Sequence, residues 1–291
     1  MYNIRGDQLP AFIAGYILAF LIHFIGLLLL RKVKFHPTNQ RILMIHLALT
    51  ELSTNLFQTV VYVLLMLGRC ERDSVCDFVD HFFYTLVFGT SKLIMIYIIC
   101  DRLLDIRLHL KYSIYFTEQK VKRISLALWL FCCVFASTVV LVRILYNEAA
   151  QLLGTICFSF YVALDVIIVI SALVTYSFLY IKVRHFHAID CNQNKVRRGS
   201  TSRASRRSKF MLPCLIIATY LIFNTTGDIM LFYNAYFMNG GQYTKSVISE
   251  VAHWLWILGW ISDGILYIFM QKSIKEKLKS GFRKNRVGPT H

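Results

Sequence analysis

Charge is scarce in this chain, and negative charge is scarcer still. Only 16% of the 291 residues are charged, with 16 Asp and Glu against 32 Lys and Arg. With 56% hydrophobic residues beside so little charge, the composition excludes an ordinary soluble domain. A net charge of +16 would suit a nucleic-acid binder only if the cations shared one water-soluble face, and the apolar runs leave no room for one. Other absences narrow the choice further. No alternating strands of about ten residues suggest a membrane barrel, and no internal repeat suggests a transporter. A catalytic triad, a metal-ligand spacing and a phosphate-cradling glycine loop are all missing, so the chain reads as neither an enzyme nor a holder of a resident cofactor. The first apolar segment has no cleavage pattern and runs directly into basic residues, so it reads as retained.

What is present is apolar length. About 20 helical residues span the hydrocarbon of a bilayer. Seven segments meet that test, near 10–30, 41–67, 78–100, 124–146, 155–181, 210–237 and 247–270. The expected fold is all-α: one integral membrane domain of seven transmembrane helices over 10–270, after a short amino-terminal stretch of residues 1–9.

The cations sort between alternate connections. The first, third and fifth connections and the carboxyl-terminal tail hold 26 of the 32 Lys and Arg. The opposite face holds Arg5, Arg69, Arg72, Arg143 and Lys245, and Lys92 alone lies inside a helix. The positive-inside rule therefore puts the amino terminus outside the cell and the carboxyl terminus in the cytoplasm of a multi-pass plasma-membrane protein. This orientation is opposite to that of the insect odorant-receptor channels. Of eight cysteines, Cys70, Cys76 and Cys157 fall on the outer side, where disulfides persist. Cys76 precedes Arg102 by 26 residues, about 39 Å of helix, which reaches the outer mouth of the third segment. A bond from there to Cys157 in the second outer loop is geometrically reasonable, with Cys70 as the competing partner.

At the inner end of the third segment stands Cys100-Asp101-Arg102-Leu103. It resembles the Asp-Arg-Tyr motif of rhodopsin-like G-protein-coupled receptors, with Leu in place of Tyr. Leu47-Ala48-Leu49-Thr50-Glu51 is similar to that family's Leu-Ala-x-Ala-Asp, and Trp129 matches its mid-helix Trp. Asp263-Gly264-Ile265-Leu266-Tyr267 resembles Asn/Asp-Pro-x-x-Tyr, with Gly for Pro. Residues 271–282 read as the family's basic amphipathic eighth helix, within a cytoplasmic tail of 271–291. The resemblance implies a receptor that passes an extracellular signal to a heterotrimeric G protein. Asp101 and Arg102 would be its coupling switch, and Tyr267 with Tyr176 or Tyr180 the switch partners. The chain departs from the family in helix six, where Asn224, Thr225 and Gly227 stand in place of Cys, Trp and Pro, and helix five has no Pro.

Ionisable side chains deep in a membrane helix are costly and default to functional roles. Ser91 lies three turns before Arg102 and so points the same way, toward Glu51 and Asp263 in the family arrangement. There the resemblance implies a sodium site. Lys92, next to Ser91, is expected either to replace sodium in part by tying Glu51 or Asp263 to helix three, or to snorkel or face a neighbouring carbonyl.

The outer loops are too short for a separate capture domain, so a ligand is expected between the helices. Tyr84, Phe88, Asp165, Asp228, His253 and Trp256 are the facing candidates. The two acids suggest a cationic group on a small molecule or peptide; the rival reading pairs them structurally with Tyr, His253 or Lys92. In the polar loop from Asp190 to Lys209, Arg197-Arg198-Gly199-Ser200 matches a basophilic kinase site, so arrestin regulation is expected to rely on Ser200 and its neighbours. A loop this basic also attracts anionic membrane lipid. Arg5-Gly6-Asp7 and the glycosylation triplet at Asn224 are set aside as chance matches, the second because it lies within helix six. The competing functional classes are a non-signalling or dimer-partner receptor and a transporter using Glu51, Lys92 and Asp263 as a charge relay.

Overall fold

The computed structural model describes residues 6–32, 38–68, 75–108, 111–145, 150–193, 214–236 and 242–269. Seven helices long and apolar enough to cross a membrane dominate them. They are α1 (Leu9–Lys32), α2 (Thr38–Met66), α3 (Val75–Leu108), α4 (Glu118–Leu145), α5 (Ala150–Gln193), α6 (214–236) and α7 (Gln242–Phe269). No strand occurs among the described residues. The expected seven-helix bundle is therefore present, and residues 271–282, the expected eighth helix, lie outside the described residues.

The helices are apolar on both faces, as protein on one side and lipid on the other require. In α1, Phe12, Tyr16, Ala19, His23, Leu27 and Leu30 recur every three or four residues and are buried. Its opposite face exposes Ile17, Leu18, Leu21, Phe24, Ile25 and Leu28, which only hydrocarbon can cover cheaply. The same contrast ranks the helices. Buried residues make up 56% of the membrane window of α3 but 17% of that of α4. So α3 is the central post, packed against α2, α4 and α5, and α4 sits at the rim. The circuit closes where α7 packs on α1 and α6.

Two apolar clusters fill the interior. Toward the Arg102 end, Leu43, Leu47, Ile94, Ile98, Ile216 and Tyr267 pack together. At the other end the filling is aromatic: Phe12, Tyr16, Tyr62, Phe88, Trp256 and Trp260. The buried ionisable residues His23, Glu51, Lys92, Asp228 and Asp263 fall along the chain between members of the two clusters, and Asp165 between Ile168 of the first and a smaller cluster of Cys157, Tyr161 and Leu164, so they form a polar belt across the middle of the bundle.

Three features depart from the sequence-based expectation. First, α3 and α5 overrun their expected bounds. From Thr155 to Arg198 there is neither Gly nor Pro, so nothing in the chain stops α5 at residue 181. Second, α5 begins at Ala150, so Cys157 stands about two turns inside the helix and not in the second outer loop. Its thiol is free and buried beside Tyr161 and Leu164, so the expected Cys76–Cys157 bond is not formed. The side chain of Cys76 lies outside the described residues. Third, α6 carries a π-helical turn over Tyr220–Thr225, a widened turn that supplies the irregularity its missing proline would have supplied.

Two glycines seat α7. A Cβ on Gly264 would stand 2.6 Å from Ile22 Cγ2 of α1, so this glycine serves close packing, and the helical assignment of α7 runs unbroken past it. A Cβ on Gly227 would stand 2.7 Å from the Trp256 indole nitrogen, so α6 and α7 touch where the family has its helix-six proline.

Candidate functional site

The Arg102 end is built from α2, α3 and the one-turn helix Tyr112–Tyr115. Asp101 is fully buried and Arg102 nearly so. The Arg102 guanidinium donates from Nε to Asp101 Oδ2 at 3.1 Å, and from Nη2 to the same oxygen. Its Nη1 reaches Gln40 Oε1 of α2 at 3.5 Å and Asp105 Oδ2 at 3.5 Å. Tyr112 donates its hydroxyl to the other oxygen of Asp101 and in turn accepts from Asn39 Nδ2 at 3.3 Å. Burial, and then the Asp101 carboxylate, push the Tyr112 phenol well above its ordinary value, so it remains a donor at physiological pH. Tyr176 of α5, half-buried, shares a hydrogen bond with the Cys214 thiol of α6. The side chain of Tyr180 and all of Ser200 lie outside the described residues.

The polar belt divides into two constellations. In the first, His23 Nδ1 lies 2.9 Å from the Ala19 carbonyl oxygen, which can only accept, so Nδ1 carries a proton. His23 Nε2 lies 2.8 Å from Glu51 Oε2, and that contact needs a second proton between the two atoms. The pair is therefore either imidazolium with carboxylate or imidazole with carboxylic acid. Tyr267 adds a hydrogen bond to Glu51 Oε2 at 3.2 Å, while Thr219 donates to Asp263 Oδ1 beside it. Glu51 and Asp263 stand side by side, and Tyr267, expected as a partner of the Arg102 switch, bonds Glu51 here.

The second constellation differs from the expectation. Lys92 does not reach Glu51 or Asp263. Its Nζ lies 2.5 Å from Asp165 Oδ1 of α5 and 2.5 Å from Asp228 Oδ2 of α6. The reason is angular: Lys92 is rotated about 100° from Ser91, and that turn aims it at α5 and α6 while Ser91 keeps the Glu51 side. Tyr220 donates to Asp165 Oδ1 at 3.1 Å, and the Lys92 ammonium lies 5.7 Å from the Tyr220 ring centre. The acids expected to meet a cationic ligand are thus paired with an internal cation.

Between the constellations lies a cavity of about 20 Å³. That is room for about one water. Glu51, Thr54, Ser91, Asn224 and Asp228 line its polar side, with Phe88 and Trp260 opposite. The oxygen donors suit a hard monovalent cation in kind, but Glu51 is already engaged by His23 and Tyr267, so sodium would have to compete for it. Among the described residues no group of three His, Cys, Asp or Glu side chains could hold a metal ion.

The expected ligand-pocket aromatics pack on one another. Tyr84 and Phe88 stack with ring centres 4.2 Å apart, Phe88 meets Trp256 at 5.0 Å, and His253 meets Trp256 at 5.1 Å. Trp256 Nε1 is buried without a hydrogen-bond partner. Several contributing residues have no part in the sequence-based site: His23, Gln40, Asn39, Tyr112, Thr219 and Tyr220. His23 was detectable, since it is the lone Asp, Glu, Lys, Arg or His in the first apolar segment. The others are polar residues of ordinary kind, and nothing in their spacing sets them apart.

The fold and the belt together define a multi-pass seven-helix membrane protein with ionisable groups inside its bundle. The chain matches no protein-family model and no curated protein sequence.

Proposed function

We propose that this protein is a receptor of the rhodopsin-like kind, with its amino terminus outside the cell, that promotes guanine-nucleotide exchange on a heterotrimeric G protein. One observation carries the reading: at the end of the central helix, a buried Arg102 is held by Asp101, Gln40 and Asp105. A guanidinium restrained by its neighbour on one helix and a neutral amide on another is poised for exchange of partners. A competing contact in the activated bundle releases Arg102 from Asp101, and its donors are then offered to the G protein. The basic residues concentrated at that same face set its cytoplasmic orientation and favour anionic lipid.

The pairing of Lys92 changes the chemistry expected of the ligand. Lys92 already pairs with both Asp165 and Asp228, so a cationic ligand group would have to compete with an internal cation there. The half-buried Tyr84, with His253 and Trp256, forms the aromatic floor on which an extracellular ligand rests. Phosphorylation at Ser200 and arrestin binding remain part of the proposal. The charge-relay transporter is disfavoured, because Lys92 pairs with neither Glu51 nor Asp263.

The test is guanine-nucleotide exchange in membranes expressing the wild type or Arg102→Ala, across the classes of heterotrimeric G protein. Exchange above empty membranes that Arg102→Ala abolishes supports the receptor. Surface-expressed protein that stimulates no class favours a non-signalling partner, and substrate flux without exchange favours a transporter.

A further inference from the structure

Lys92 is the least expected residue of the bundle interior. An ammonium at the middle of the central helix, 1% exposed, is costly unless fully compensated. Here it faces two carboxylates, each at 2.5 Å and each on a different helix. One side chain of α3 therefore ties down both α5 and α6. The cluster holds one cation for two acids, so Lys92 also keeps Asp165 and Asp228 from confronting each other across a dry interior.

The α6 arm depends on backbone irregularity. Tyr220 and Asp228 both serve this cluster, Tyr220 through its hydroxyl and Asp228 through its carboxylate. In regular α-helix two residues eight apart point about 80° away from each other. The π-turn over Tyr220–Thr225 inserts an extra residue into that interval and brings the two onto one face. If the turn relaxed to regular α-helix, Asp228 would rotate off Lys92 while Tyr220 stayed. Relaxation would regain regular hydrogen bonding and lose an ion pair, so the two arrangements are discrete competitors. Asp228 also borders the polar cavity, which gives a rotated carboxylate a place beside Ser91 and Asn224.

We propose that Lys92, Asp165 and Asp228 form a two-armed latch across α3, α5 and α6, held shut by the π-turn of α6, and that undoing its α6 arm frees α6 from the central helix. Its consequence for signalling rests on the receptor reading above; the latch itself does not. Lys92 acts as a positioning residue. Withdrawing it does more than remove an attraction, because it leaves two acids facing each other in a dry interior, where they must either move apart or take up a proton. This gives an epistasis that a simple packing role lacks: neutralising Asp228 in a chain without Lys92 should restore order and not remove more of it.

The experiment is hydrogen–deuterium exchange on the full chain in lipid nanodiscs, read at the amides of residues 220–228, for wild type, Lys92→Met, Asp228→Asn and Lys92→Met/Asp228→Asn. Lys92→Met is expected to speed exchange there about tenfold or more, in line with breaking a buried ion pair. The double variant should return most of the way to wild type, since the introduced side-chain amide can donate a hydrogen to Asp165. Exchange in Lys92→Met equal to wild type, or a double variant as fast as Lys92→Met, overturns the latch. Should Lys92→Met fail to fold, Asp228→Asn alone decides the matter: faster exchange confined to the π-turn supports the latch, and unchanged exchange overturns it. The same preparations are assayed for nucleotide exchange on G protein. The expected amide pattern without nucleotide exchange leaves the latch standing and counts against the receptor reading instead.

Discussion

Replacing His23 by Leu exposes how the first constellation is held together. His23 is fully buried, and its Nε2 shares a proton with Glu51 Oε2 across 2.8 Å. Leu keeps the side-chain bulk and removes that partner, leaving Glu51 buried with only the Tyr267 hydroxyl at 3.2 Å beside it and Asp263 nearby. If the pair is imidazolium with carboxylate, the loss is about 3–5 kcal/mol, the cost of stranding one buried charge. If Glu51 instead holds the proton, the loss falls to about 1–3 kcal/mol, the cost of an unsatisfied neutral group. Glu51→Gln is the matched control, because His23 and Tyr267 both meet Glu51 at Oε2, and an amide nitrogen in that place can donate one hydrogen to His23 Nε2 and the other to the Tyr267 hydroxyl oxygen. It should cost about 1 kcal/mol or less. His23→Leu/Glu51→Gln should be more stable than His23→Leu alone, since no carboxyl is stranded. Unfolding in mixed micelles of rising SDS fraction, followed by tryptophan fluorescence, ranks the four chains. A His23→Leu chain within about 0.5 kcal/mol of wild type would refute the pairing, as would strict additivity of the two changes.

Three further outcomes follow from the packing. Gly227→Ala would press a methyl to 2.7 Å from Trp256 Nε1 and 3.1 Å from the Ala252 carbonyl oxygen; it should cost about 1–3 kcal/mol in the same unfolding assay and shift the Trp256 emission. Tyr112→Phe removes the hydroxyl that steadies Asp101, weakening its hold by about 1–3 kcal/mol, and should raise basal nucleotide exchange if Asp101 restrains Arg102. Cys157 is a free thiol packed against Tyr161 and Leu164, where an alkylating reagent has no access to it. Alkylation mapped by mass spectrometry should reach Cys157 only after unfolding and without reductant; a Cys76–Cys157 linked peptide would contradict the buried thiol.

The parts legible in the sequence were those written in apolar length and charge position. Seven helices follow from seven apolar runs, because no other regular structure without a closed barrel satisfies a backbone in hydrocarbon. Asp101 and Arg102 stand out because they close the central run, and Glu51, Asp263 and Tyr267 because a mutual register links them. The partners of Lys92 were not legible in the same way. Helical spacing fixes the direction of Ser91, but the assignment of its neighbour turns on where α5 and α6 sit, and a rotation of about 100° changes both partners. The π-turn has no proline or glycine to announce it within Tyr220–Thr225. Cys157 lies at the very start of the fifth apolar run, where the sequence alone does not separate a loop cysteine from a core one; the helix that begins at Ala150 places it in the core.

Whether the Arg102 end receives a G protein is tested most directly by the binding of nucleotide-free heterotrimers, one from each G-protein class, to the purified protein in lipid nanodiscs. The expected result is a complex with at least one class that added GTP dissolves and that Arg102→Ala does not form. No complex with any class, or a complex that Arg102→Ala retains in full, would contradict it.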